Sequence, residues 1–231
     1  MIPLNDTESN RYSHFPFMTI AIIWINIMVM GLEFIVLQDG RAAFRQFIQL
    51  YGTVPALLLA SQGGGALSSI TTMFLHSGLF HLVGNMLALW VFGRRVEDAC
   101  GPWGFLLFYL ICGFVANLAY VLVSPNSPIP AIGASGAISG VMGAYLLLFP
   151  GGRIRTLVFI SIIPLWPKIR AFWIVFYFLF VNILPALDVM LNKSDYSVAY
   201  WAHLGGFFAC FSVFLFLRPE AFQRYFSKAP V

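Results

Sequence analysis

Apolar runs dominate this chain, and most polar residues fall between them. A hydrocarbon core ~30 Å thick needs about 20 apolar residues in a helix. On that basis the chain reads as six spans: Phe17–Leu37, Leu79–Phe92 with a continuation toward Glu97, Phe105–Val123, Ser135–Phe149, Ala171–Met190 and Tyr200–Leu217. Residues 1–16 carry Asp6, Glu8 and Arg11 and are expected to form a polar tail, with a second tail at 219–231, which leaves 17–218 as one membrane domain. The run from Phe17 is longer than a signal-peptide core and has no convincing small-residue cleavage site, so it counts as a retained span. Between spans one and two, Arg41, Arg45, Gln46 and Gln49 are interleaved with Phe44, Phe47, Ile48 and Leu50. That mixture suits an amphipathic helix lying in the interface. The stretch Arg155–Arg170 is apolar but broken by Pro164 and Pro167, so it is expected to be an interfacial or re-entrant connection and not a seventh span. The expected fold class is all-α: a polytopic transmembrane helical bundle of six spans with an interfacial first loop.

Composition agrees. Of the 231 residues, 60% are hydrophobic and 10% charged, against roughly 45–50% and about 25% in globular domains. Such an excess cannot be hidden inside one water-soluble core, and disorder, collagen and a secreted disulfide scaffold are excluded. Cys100, Cys112 and Cys210 are widely spaced and read as small buried hydrophobes, not as metal ligands or disulfides. No Lys/Arg run resembles a nucleic-acid patch, and nothing calls for a cofactor or a metal. Placement of charge sets orientation. With the N-terminus cytoplasmic, Arg11, Arg94, Arg95, Arg153, Arg155, Lys168, Arg170, Arg218, Arg224 and Lys228 lie inside, and only Arg41, Arg45 and Lys193 outside. The positive-inside rule therefore puts both termini in the cytoplasm.

Polar groups inside spans are expensive and suggest function by default. Spans two, four and six run in the same direction, and their inner ends can be taken as Arg94, Pro150 and Arg218. At 1.5 Å per residue, His81 then lies ~20 Å from its end, and Ser135 and His203 ~22 Å from theirs. Three polar side chains on three helices thus fall in one layer, and Asn85 lies one turn below His81 on the same face. Ser135 follows a proline-rich loop and stands at the N-terminus of its span, where free N–H groups favour developing negative charge. A serine hydroxyl needs a base to take its proton, and a neutral His203 can do so. His81 and Asn85 could donate to an oxyanion. Other readings stay open at this point. Gly136, Gly140 and Ala144 also form a small-residue packing stripe, and the histidines and Asn85 could be interhelical hydrogen-bonding groups. Glu33 and Asp188 fall near outer span ends, where contact with water is expected, and His14 sits in the polar tail.

These residues resemble the rhomboid family of intramembrane serine proteases. The resemblance runs from about Thr71 to Phe211. It rests on His76-Ser77-Gly78-Leu79-Phe80-His81-Leu82-Val83-Gly84-Asn85, Gly93-Arg94-Arg95-Val96-Glu97, Gly133-Ala134-Ser135-Gly136 and Ala202-His203-Leu204-Gly205-Gly206. It implies Ser135 as nucleophile, His203 as general base and acid, and His81, Asn85 and the Ser135 backbone N–H as the oxyanion hole. It also implies close packing of span six on span four through Ala202 and Gly206, and a role for Glu97 in fixing the inner end of span two. Two features depart from the family. A Trp-Arg pair common in the first loop is replaced by Leu67-Ser68-Ser69-Ile70-Thr71-Thr72. Ser139 stands where some members carry an aromatic residue that stacks on the catalytic histidine, so something else must orient His203.

The expected activity is peptide-bond hydrolysis near the outer leaflet by a Ser-His dyad, with single-span or polytopic membrane proteins and the lipid bilayer as partners. Span five, rich in aromatic residues, could act as a lateral gate or simply face lipid. A non-catalytic rhomboid-like binder of transmembrane helices and a small transporter are the rival readings. The compact plan, without a transit-peptide signature, suggests a bacterial cytoplasmic membrane, with an organelle membrane as the open alternative.

Overall fold

The structure, a computed structural model, describes residues 2–7, 15–192 and 199–217. His14 and five of the basic residues counted for orientation, Arg11, Lys193, Arg218, Arg224 and Lys228, lie outside those ranges. In chain order, strand β1 (Ile2–Asp6) precedes the long helix α1 (Phe17–Gln38). The first loop then folds as α2 (Arg41–Tyr51), α3 (Pro55–Leu59) and α4 (Ser68–Thr71). Helix α5 (Leu79–Ala88) continues through a π-helical turn, Leu89–Gly93, into α6 (Arg94–Cys100). Helix α7 (Pro102–Val123) follows the left-handed Gly101 (φ 72°) and starts on a proline, whose missing N–H costs nothing at that position. Helix α8 (Ser135–Leu148) leads into three short strands, β2 (Arg153–Ile160), β3 (Ile163–Leu165) and β4 (Lys168–Arg170). Helices α9 (Ala171–Asn192) and α10 (Tyr200–Leu217) complete the described chain.

Among the described residues, α1, α7 and α9 are long and apolar enough to cross a membrane. The segments Gly65–Phe74 and Leu79–Cys100, bent by 83° where they meet, add a fourth crossing if they are one span. The second predicted span thus runs past Phe92 and through Glu97, as its expected continuation allowed. Helix α8 has 14 residues, which at 1.5 Å each gives about 21 Å.

The chain is mostly helical, as expected, and the all-α expectation is corrected only in that the chain also forms a small antiparallel sheet. Strand β1 pairs with β2, and β2 pairs with both β3 and β4. Strand β1 lies within the polar tail 1–16, and β2, β3 and β4 lie in and beside the interfacial or re-entrant connection expected at Arg155–Arg170; no strand was expected in either. The cause is alternation. Arg153 and Arg155 are exposed while Ile154 and Thr156 are buried, the period-two pattern of a strand with one covered face. Asp6 locks β1 to the bundle, since its buried carboxylate accepts from Arg94 (2.5 Å) and from Arg95 Nε (2.6 Å). A buried carboxylate is tolerated only when paired in this way.

Two further carboxylates tie helices together. Glu97 is buried, and its two oxygens accept the backbone N–H groups of Met18 and Thr19, each at 2.7 Å. These are orphan donors in the first turn of α1, so the end of α6 caps the start of α1. Glu33 does not face water as expected from its place near a span end. It is 2% exposed and accepts the His76 N–H at 3.1 Å, which pins the turn before α5.

Helix α8 lies at the centre, packed on α7 and α10 through small residues. A Cβ on Gly136 would lie 2.7 Å from the Ala116 Cβ, and one on Gly140 would lie 2.8 Å from the Gly206 carbonyl oxygen. At Gly206 it would strike the Gly136 carbonyl and come within 2.6 Å of Ser139 Oγ. Backbones this close leave no room for a side chain, which is how small residues drive helix association in lipid. The three cysteines are buried, as expected. Replacing Gly206 with Val should destabilise the bundle by about 1–3 kcal/mol through overpacking. A lowered unfolding midpoint of the purified protein would show it, and an unchanged midpoint would contradict the packing argument.

Candidate active site

The proline-rich loop before α8 is held by the first loop. Ala131 and Thr53 exchange backbone hydrogen bonds (2.8 and 3.2 Å), the Gly133 N–H donates to the Thr72 carbonyl (2.9 Å), and the Thr72 hydroxyl donates to the Ala131 carbonyl. Asn117 on α7 donates to the Ser69 carbonyl at 2.8 Å. These bonds anchor the first loop where the Trp-Arg pair is missing. They deliver the chain to Ser135, the first residue of α8, whose opening N–H groups have no partner within the helix.

Ser135 and His203 meet. Ser135 Oγ lies 2.8 Å from His203 Nε2, although the two residues are 68 positions apart and on different helices. The geometry also specifies the proton. His203 Nδ1 lies 2.5 Å from Asn182 Oδ1, and the Asn182 amide nitrogen donates to the Phe178 carbonyl at 2.7 Å. An amide oxygen can only accept, so His203 carries its proton on Nδ1 and presents Nε2 as an acceptor to the serine hydroxyl. The orientation problem posed by Ser139 is therefore solved from α9. Asn182 holds one side of the ring and Phe178 lies against it at 5.6 Å between centroids, while the Ser139 hydroxyl donates back to Gly136 at 2.6 Å. Sequence reasoning missed Asn182. It is 4% exposed and flanked by apolar residues in the middle of α9, and a polar side chain so placed in a span is itself the signal that could have found it.

His81 lies in the same cavity as Ser135 and His203, a space of about 470 Å³. Its Nδ1 is 3.4 Å from the Ser77 backbone N–H and 3.1 Å from the Ser77 hydroxyl. A backbone N–H can only donate, so the proton of His81 belongs on Nε2. Gly133, at φ 120°, leaves open the space beside it: a Cβ there would lie 2.9 Å from His81 Nε2 and 3.5 Å from the Asn85 amide nitrogen. That Asn85 nitrogen is buried without a hydrogen-bond partner among the described residues. Two N–H donors thus flank a glycine next to the serine. The four expected site residues, Ser135, His203, His81 and Asn85, are brought together, and His14 lies outside the described residues.

The rhomboid domain family model matches residues 64–220. The chain is 30% identical over 190 residues, 80% of its length and 49% of the relative's, to Rhomboid protein 1, mitochondrial, of Saccharomyces cerevisiae. It is 43% identical over 84 residues (36% of this chain, 16% of the relative) to Rhomboid protease GluP of Bacillus subtilis. It is 33% identical over 128 residues (55% and 42%) to Rhomboid-like protein 11, chloroplastic, of Arabidopsis thaliana. The chain spans half or less of the length of these relatives. Mitochondrial and chloroplastic proteins are among them, so the comparison gives no support to a bacterial cytoplasmic membrane in particular. Apolar helices of membrane-crossing length and the matched domain make this an integral membrane protein, and the chain belongs to the rhomboid family.

Proposed function

We propose that the protein is an intramembrane serine endopeptidase that cleaves transmembrane segments of single-span or polytopic membrane proteins near the outer leaflet. On this reading 17–218 is one six-span domain with both termini cytoplasmic, and the Ser135 end of α8 faces outward. The observation that carries the proposal is the 2.8 Å contact between Ser135 Oγ and His203 Nε2 beside a cavity that also holds His81.

The chemistry follows from the proton positions. As Ser135 Oγ attacks the scissile carbonyl, its proton passes to His203 Nε2, and Asn182 stabilises the imidazolium through Nδ1–H. The carbonyl oxygen gains negative charge where His81 Nε2–H, the Asn85 amide and the Ser135 N–H can donate to it. His203 then gives its proton to the leaving amine. Water, activated by the same nitrogen, hydrolyses the acyl-enzyme and returns the proton to Ser135. A substrate helix satisfies its own carbonyls, so it must unwind locally before attack, and helix-breaking residues lower that cost.

A serine-directed fluorophosphonate tests the nucleophile without needing a substrate. Labelling should map to Ser135 and fall to background in His203→Ala. A correctly folded protein that stays unlabelled would instead favour a non-catalytic binder of transmembrane helices.

A further inference from the structure

The face of the small sheet that points away from the bundle holds a block of positive charge. Arg153 lies directly opposite Arg170 across the β2–β4 pair, and Arg155 lies opposite Lys168. Residues two apart on a strand share a face, as do direct cross-strand partners, so all four cations point the same way. All four are exposed. Their neighbours Ile154 and Thr156 are buried on the other face, where Asp6 also sits, opposite Ile154 and already engaged by Arg94 and Arg95. Among the described residues no carboxylate pairs with the four. Like charges set directly opposite one another destabilise a sheet, so this arrangement calls for an external counter-charge.

The far end of the same hairpin is apolar. Beyond the cations, β2 and β3 pair Phe159 with Pro164 and Ile160 with Ile163. Phe159, Ile160 and Trp166 are each more than half exposed, and Ile162 at the tip is 88% exposed. Connectivity fixes where this hairpin lies. It begins five residues after the end of α8 and runs without a break into α9, whose membrane-crossing stretch starts at Ala171. It is therefore held at the bilayer boundary, with a cationic base and a bare apolar tip.

We infer that the hairpin is a lipid-docking element. Its tip enters the leaflet at the Arg94 end of the bundle, and Arg153, Arg155, Lys168 and Arg170 bind the phosphates of anionic phospholipids there. Charge complementarity selects the anionic lipid, and the apolar tip selects a bilayer over a soluble phosphate or an acidic peptide.

Native mass spectrometry of the whole protein, released from nanodiscs of mixed phosphatidylglycerol and phosphatidylcholine, tests the inference. The wild type should retain phosphatidylglycerol preferentially, and R153Q/R155Q/K168Q/R170Q should lower that preference by about tenfold or more. Two controls keep their preference: R41Q/R45Q, which removes cations from α2, and R153K/R155K/K168R/R170K, which preserves charge and guards against misfolding. A wild type that retains both lipids equally would overturn the inference, as would a folded quadruple glutamine variant that keeps the preference. So would displacement of the lipid by an equal concentration of soluble glycerol phosphate. The measurement reads lipid binding, so its failure leaves the proposal of proteolysis untouched.

Discussion

Replacing Ser135 with Ala should reduce cleavage of a single-span reporter in proteoliposomes by about 10⁴-fold or more, the scale on which a serine hydrolase loses its nucleophile. The expectation is large because the two halves of the dyad act as a unit: His203 has nothing to deprotonate once the hydroxyl is gone. Stability should hardly change. The variant loses one partly buried hydrogen bond, a loss of about 1 kcal/mol, while alanine suits the first turn of α8 at least as well as serine. A variant that keeps its unfolding midpoint and loses cleavage locates the chemistry in the hydroxyl. Undiminished cleavage by Ser135→Ala would refute the proposed function. Solute flux that depends on Asn85 and His81 but ignores this substitution would point to a transporter.

The second large effect should come from Asn182. Leucine at this position keeps the approximate volume and suits a membrane helix, but it removes the oxygen that accepts from His203 Nδ1. The ring is then free to take the other tautomer, whose protonated Nε2 cannot accept from Ser135. Loss of tautomer control costs a serine protease up to about 10⁴ in kcat. A neutral amide holds the ring less strongly than a carboxylate, so about 10²-fold is expected here, carried by kcat with KM little changed. Asn182→Gln, which preserves the amide, should recover part of the loss. The ¹⁵N shifts of the His203 ring should report the Nδ1–H tautomer in the wild type and a mixture in the leucine variant. Wild-type turnover by Asn182→Leu would reduce the contact to packing.

The Ser135–His203 pairing was legible in the sequence because helical rise converts residue numbers into depth. Counting from Arg94, Pro150 and Arg218 puts the polar residues in one layer without knowledge of any contact. Depth says nothing about azimuth, however, and the misses follow from that. Asn182 is at the right height, but its helix reads first as a row of aromatic rings, and which face meets His203 depends on how α9 packs. Glu33 was expected to face water from its position along α1; it is buried because the turn at His76 covers it. The sheet was missed for another reason. Pro164 and Pro167 dominate the reading of their segment, although Arg153-Ile154-Arg155-Thr156 already alternates, and its partner strand lies far away at Ile2–Asp6. Likewise, nothing within the first loop announces that Thr53 and Thr72 will hold the backbone at Ala131 and Gly133.

One consequence concerns timing. Of the three helices long and apolar enough to cross a membrane, α9 has the smallest share of its crossing stretch buried, 17%, yet it carries the amide that holds His203. If the proposed protease admits its substrate past α9, an outward swing wide enough to pass a peptide would stretch the 2.5 Å bond to Asn182 and release the imidazole, so that admission and attack would exclude each other.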